Sequence, residues 1–254
     1  MASFSNRLDL LYVLALTQLK TRYKKAVLGY VWSLANPLVF AAIFYFVFGI
    51  VMKSGRPDMP AFLLTGLFPW QWISNSLSGS TMVFIGNAAL VKKVAFPRYF
   101  LPLSLIAQDA WHFIMALPVL ASILAVSGFL PHWGWLWALP LCLVIQAVLL
   151  FGLAMLLASL NMFLRDIEHL VQVMLMVGFY ATPVIYPLEQ VPEPYADFIR
   201  LNPFTSVIGL WREVIYTGTP KLATLAIAIP MALTCLAVGA IVYRGLSRRF
   251  AELI

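Results

Sequence analysis

The chain has 254 residues, 62% of them hydrophobic and 11% charged, with a mean hydropathy of +0.90. A soluble domain is roughly 45–50% apolar and about 25% charged, and a globule of this size could not hide so much apolar surface. The same numbers exclude disorder, and a net charge of +7 placed between long apolar runs points to membrane topology rather than to nucleic acid.

Residues 1–30 carry Arg7, Asp9, Lys20, Arg22, Lys24 and Lys25. Leu8, Leu11, Tyr12, Ala15, Leu19, Tyr23 and Ala26 recur at spacings of three and four, which predicts an amphipathic helix lying along the cytoplasmic interface. This segment lacks the compact apolar region and small-residue cleavage site of a signal peptide. Beyond it, charge-poor stretches predict six transmembrane helices near 31–52, 60–86, 99–127, 133–161, 170–187 and 222–243. The third and fourth are separated by the breaker Ser127-Gly128-Phe129-Leu130-Pro131-His132. Between the fifth and sixth, Leu188–Lys221 is too apolar for a free aqueous loop. The expected fold is thus an all-α polytopic membrane protein, with residues 1–30 at the interface and 31–254 as one six-helix domain.

An even number of spans puts both termini on one side. That side holds 12 of the 17 Lys and Arg residues, the other side 5. Excess positive charge marks the cytoplasmic face. Cys142 and Cys235 each lie inside an apolar run without CxxC spacing and read as buried free thiols, not as a disulfide or a metal site.

Catalytic motifs are missing. No Gly is followed by Lys anywhere in the chain, so it carries no P-loop of its own, and neither a His-Glu-x-x-His nor a Gly-x-Ser-x-Gly occurs. Asp109 and His112 are the one ionisable pair inside a span. Three residues apart, they share a helix face, and Asp109 stands about 15 Å in from Arg98 at roughly 1.5 Å per residue. A charge at that depth must face protein or water. The pair fits either a proton relay or a buried polar contact with Gln108 or a neighbouring helix.

Four stretches are more specific than composition. Tyr23-Lys24-Lys25-Ala26-Val27-Leu28-Gly29-Tyr30-Val31-Trp32-Ser33-Leu34-Ala35-Asn36-Pro37 precedes and opens the first span. Lys92-Lys93-Val94-Ala95-Phe96-Pro97-Arg98 follows the second. Asn161-Met162-Phe163-Leu164-Arg165-Asp166-Ile167 follows the fourth. Thr182-Pro183-Val184-Ile185-Tyr186-Pro187, with Leu201-Asn202-Pro203-Phe204 after it, closes the fifth. In order and spacing they resemble ABC-2-type permeases of the polysaccharide and O-antigen export family (Wzm/TagG-like). Tyr99 departs from the pattern, since many relatives carry an acidic residue there.

The resemblance implies a homodimeric transporter subunit, not an enzyme, joined to two copies of a separate ABC ATPase. ATP and Mg2+ would bind on that partner, and no cofactor on this chain. It would move a polyprenyl-diphosphate-linked glycan, O-antigen above all, across the bacterial inner membrane. A coupling helix near Asn87–Arg98 would dock on the ATPase, with Phe96 as aromatic anchor, Pro97 as helix stop and Lys92, Lys93 and Arg98 pairing with acidic groups or lipid phosphates. Arg22, Lys24 and Lys25 would either collect the diphosphate head or only set orientation. Sugars stack on aromatic faces, so Phe40, Phe44, Tyr45, Phe48, Trp70, Trp72, Tyr180 and Tyr186 are candidates for the channel lining. Interfacial belts and helix contacts account for the same residues. Short re-entrant helices are expected between the fifth and sixth spans. Two other classes compete: an ion-coupled carrier using Asp109 and His112, and a polytopic glycosyl- or acyltransferase, for which only Asp166, Glu168 and His169 approach a suitable cluster.

Overall fold

The computed structural model describes residues 58–93, 96–126, 128–129 and 131–250, together with 45–51 and a few positions between 35 and 43. The expected interface helix over 1–30, with Arg22, Lys24 and Lys25, lies outside the described residues, as do Phe40, Phe44 and most of the first span. The side chains of Phe48 and Lys93 lie outside them too. Among the described residues the secondary structure is entirely helical. A π-helical segment, Tyr45–Val51, is followed by α1 (Met59–Thr81), α2 (Ala88–Lys93), α3 (Phe100–Val126), α4 (Trp135–Asn161), α5 (Ile167–Ala181), α6 (Tyr195–Arg200), α7 (Pro203–Thr217) and α8 (Leu222–Leu246).

Three of these, α3, α4 and α8, are long and apolar enough to cross a membrane. α1 is also uncharged, but Gln71, Ser74, Asn75, Ser76, Ser78 and Ser80 make it more polar. The reason is its position. Buried at 17 of its 23 residues, α1 is enclosed by α3, α4, α5 and α7. Ser76 and Ser80 are accordingly buried and paired, with Asp109 and the Leu77 carbonyl, whereas Gln71, Ser74, Asn75 and Ser78 stand on its more open side.

α8 is the opposite case. Ala228, Ala232 and Gly239 are its buried residues, while Ile227, Leu233, Val238 and Ile241 point outward. The small-residue stripe brings its backbone against that of α4. A Cβ on Gly239 would stand 1.9 Å from the carbonyl oxygen of Gly152, and one on Gly152 would stand 2.4 Å from the carbonyl of Cys235. Such close approach replaces hydrophobic drive, which is weak between helices in lipid, with dense dispersion contact. The two cysteines are free thiols.

Two helices end short of the expected spans. α1 ends at Thr81, not near 86. The hydroxyls of Ser80 and Thr81 donate to the carbonyls of Leu77 and Ser78, and Asn161 of α4 donates to the Thr81 carbonyl at 2.9 Å. Local back-bonding and an outside donor finish the helix there. α5 ends at Ala181, not near 187, because Thr182 is extended ahead of Pro183. Its 15 residues make about 22 Å of helix, less than the ~30 Å of a hydrocarbon core. The buried segment Thr182–Ile185 continues it without helical structure.

Candidate functional site

A cleft lies between α1 and α5. It is an open groove of about 400 Å³, and its polar lining is Gln71, Ser74 and Ser78 of α1 with Gln172 of α5. Spacings of three and four set the α1 residues on one face. The cleft runs from Leu67 to Ser78, about 16 Å along the axis at 1.5 Å per residue. Trp70, Phe179 and Tyr180 supply its aromatic wall. Trp70 is held edge-on by Phe179 and Phe204, each with ring centroids 5.8 Å away. On the side of α5 away from the cleft, Val173, Met174 and Val177 are exposed, while Met176 lines the cleft.

The predicted aromatics therefore separate. Trp70 and Tyr180 line the cleft. Trp72, two residues from Trp70, is on the opposite side of α1 and stacks on Phe113 at 5.4 Å. Tyr186 donates its hydroxyl to the carbonyl of Tyr180 at 2.9 Å, steadying the end of α5. Tyr45 is exposed on the π-helical segment. The polar stripe of Gln71, Ser74 and Ser78 was not singled out from sequence, although helical spacing within an uncharged run is the signal that finds it.

A buried polar junction ties α1 to α4 and α7. Gln146 of α4 donates to the Pro69 carbonyl at 3.0 Å and accepts from the Trp211 indole of α7 at 2.6 Å. Trp211 is fully buried and meets Phe113 edge-on at 4.7 Å. Asp109 and His112 are both buried, and Ser76 of α1 donates to Asp109 at 3.0 Å. A carboxamide oxygen can accept that bond as well as a carboxylate does. Asp109→Asn is therefore expected to leave transport within about twofold of the parent. A loss beyond tenfold in a transport assay would favour the relay reading over the packing one.

At the end where α5 finishes, the two parts of the fourth sequence stretch meet. Asn202 caps α7 by accepting from the Phe204 amide at 3.0 Å, and its own amide donates to the Thr182 hydroxyl at 2.9 Å. Pro203 occupies the first helical position, where its missing N–H costs nothing. The Arg212 guanidinium of α7 donates to the carbonyls of Pro183 and Val184 and lies 3.8 Å over the Phe62 ring. Nearby, Arg200 pairs with Asp197 and Glu193, and Glu213 with Lys221.

At the opposite end, α2 presents exposed Ala89, Leu90 and Lys92. Phe96 is half-buried against an apolar cluster of Val83, Phe84, Val91, Phe100 and Phe250, and Pro97 is half-exposed. Arg98 donates to the Ser247 carbonyl at 2.9 Å. Phe96 and Arg98 thus have contacts within their own chain, which their position in a short loop did not suggest. Among the described residues no group of His, Cys, Asp or Glu is arranged to hold a metal.

The family model for ABC-2 type transporters matches residues 9–216. The chain is 40% identical to the O-antigen export system permease protein RfbA of Klebsiella pneumoniae over 97% of its own length and 95% of that protein's. It is 30% identical to the O-antigen export system permease protein RfbA of Myxococcus xanthus over 87% of each chain. With the polysialic acid transport protein KpsM of Escherichia coli it shares 25% identity over 81% of this chain and 80% of the relative. The apolar helical architecture and similarity along nearly the whole length agree: the chain belongs to the ABC-2 type transporter family, as a permease subunit.

Proposed function

We propose that the chain is the permease subunit of an exporter that moves a polyprenyl-diphosphate-linked polysaccharide, O-antigen first among them, from the cytoplasm across the inner membrane. The carrying observation is the α1–α5 cleft, where aromatic rings and uncharged hydrogen-bonding side chains stand together. That lining suits neutral sugars, which offer C–H faces and hydroxyls. The identity to O-antigen export permeases over nearly the full chain supports the substrate class.

The subunit works as a homodimer with two ATPase subunits that bind ATP and Mg2+. The exposed apolar face of α5 is where a second copy closes the cleft. Six spans, with both termini cytoplasmic and residues 1–30 at the interface, complete the topology, and α6 and α7 re-enter the outer leaflet, α7 covered by α1, α4 and α8. Arg22, Lys24 and Lys25 gather the diphosphate head. Segment 87–98 docks on the ATPase through α2 and the Phe96 loop, with Lys92, Lys93 and Arg98 adding positive charge.

Trp70→Ala and Gln172→Leu are expected to lower glycan export by roughly tenfold each, equivalent to about 1.4 kcal/mol along the path. Copurification with the ATPase should be unchanged. Surface polysaccharide at parental level in both variants would remove the cleft from the path.

A further inference from the structure

The chain's last described turn is seated in the same apolar cluster as the proposed ATPase-docking segment. After α8, Ser247–Arg249 form one tight turn that delivers Phe250 inward. Phe250 has no exposed surface, although Arg248 and Arg249 beside it are exposed. Its ring lies 5.0 Å from Phe84, just beyond the end of α1, 6.1 Å from Tyr243 of α8 and 6.5 Å from Phe163, just beyond α4. Val91 of α2, Phe100 and Leu101 of α3 and Met162 complete the enclosure, and Phe96 packs against it. One side chain thereby touches the ends of several helices at once.

A second contact fixes the same turn. Arg98, at the close of the docking segment, donates to the Ser247 carbonyl across 149 residues of chain. That carbonyl lies just past the end of α8, where helices leave acceptors unfilled and where positive charge is favoured. Phe250 therefore locks the turn to the cluster from within, and Arg98 holds it from the loop side. A well-packed cluster moves as a unit, since interiors transmit displacement rather than absorb it.

We infer that Phe250 is a positioning residue for energy coupling: with Arg98 it makes the C-terminal turn a strut carrying movement of segment 87–98 into α8. From α8 the displacement passes to α4 through the Gly152–Gly239 backbone contact. The inference rests on the proposal that segment 87–98 docks on the ATPase.

The test uses the full permease purified with its ATPase in proteoliposomes, supplied with polyprenyl-diphosphate-linked glycan extracted from the producing cells. ATP hydrolysis and glycan translocation are measured on the same preparation. The series Phe250→Leu, Phe250→Val and Phe250→Ala removes volume in steps. Export per ATP hydrolysed should stay near parental for Leu, fall for Val, and fall by at least about fivefold for Ala, the low end of ordinary coupling between linked sites. A merely structural role would lower hydrolysis and export in parallel and leave their ratio unchanged, which overturns the strut. Should the Ala variant fail to assemble, the Val variant decides alone, by the same ratio. Phe96→Asp is measured alongside. If it uncouples while the Phe250 series stays coupled, the strut is wrong and docking stands; if it stays coupled, the docking proposal fails and the strut with it.

Discussion

Gly239→Leu is expected to leave no assembled permease in the membrane. Even a methyl group at this position would meet the Gly152 carbonyl oxygen at 1.9 Å, and that atom belongs to backbone, which no rotamer change can move. α8 would have to lift away from α4 along its whole contact. Because its buried side is only the small stripe Ala228, Ala232 and Gly239, no large side chains remain to hold it at a greater distance. Ordinary overpacking costs about 1–3 kcal/mol; two helix backbones forced apart cost more, since every contact of the pair weakens together. Gly245 supplies the control, as a Cβ there meets nothing within 4 Å. Gly245→Ala should be neutral or stabilising by up to about 1 kcal/mol. Detergent-solubilised protein followed by fluorescence-detected size exclusion should show no monodisperse peak for Gly239→Leu, a diminished one for Gly239→Ala and a parental one for Gly245→Ala. A parental profile for Gly239→Leu would mean that the α4–α8 crossing is not as close as described.

Arg212→Lys is expected to be nearly as damaging as Arg212→Met, despite keeping the charge. The guanidinium serves two adjacent carbonyls, those of Pro183 and Val184, while its plane covers Phe62. An ammonium is a point charge without a planar fork and cannot reproduce both bonds together with the stacking. Each lost hydrogen bond to a charged donor is worth about 1.5–3 kcal/mol, and a buried carbonyl left without a donor adds its own cost. Gly66 of α1 shows how tightly the group is held: a Cβ there would stand 2.6 Å from the Val184 oxygen and 2.9 Å from the guanidinium. Thermal unfolding of the purified complex should shift down for both variants, by a comparable amount. An unchanged midpoint in Arg212→Lys would show that the fork is dispensable.

Much of the architecture is visible in local composition. The charge-poor runs near 99–127, 133–161 and 222–243 correspond to α3, α4 and α8, because a helix with a side toward lipid must be apolar along that side. α1 and α5 were less legible for opposite reasons. α1 is more polar than a lipid-facing span because Ser76 and Ser80 find partners inside the protein while Gln71, Ser74 and Ser78 line a cleft. α5 loses its expected last turns to Pro183 and to a guanidinium supplied by α7. Trp70 and Trp72 look alike as residues in a row, yet helical geometry sends one to the cleft and the other to Phe113.

The membrane class, the bias of basic residues to one side, the missing P-loop and the family motifs all follow from the order of residues alone. Each depends on a sum or a spacing over neighbours in the chain. Pairing does not. Arg98 meets Ser247 across 149 residues, Asn161 meets Thr81 across 80, Trp211 meets Gln146 across 65 and Arg212 meets Pro183 across 29. A polar group removed from water has to find a partner wherever the fold brings one. Which carbonyl or amide that is was decided by the helix arrangement, and so were the aromatic wall of the cleft and the seating of Phe250 against the docking segment.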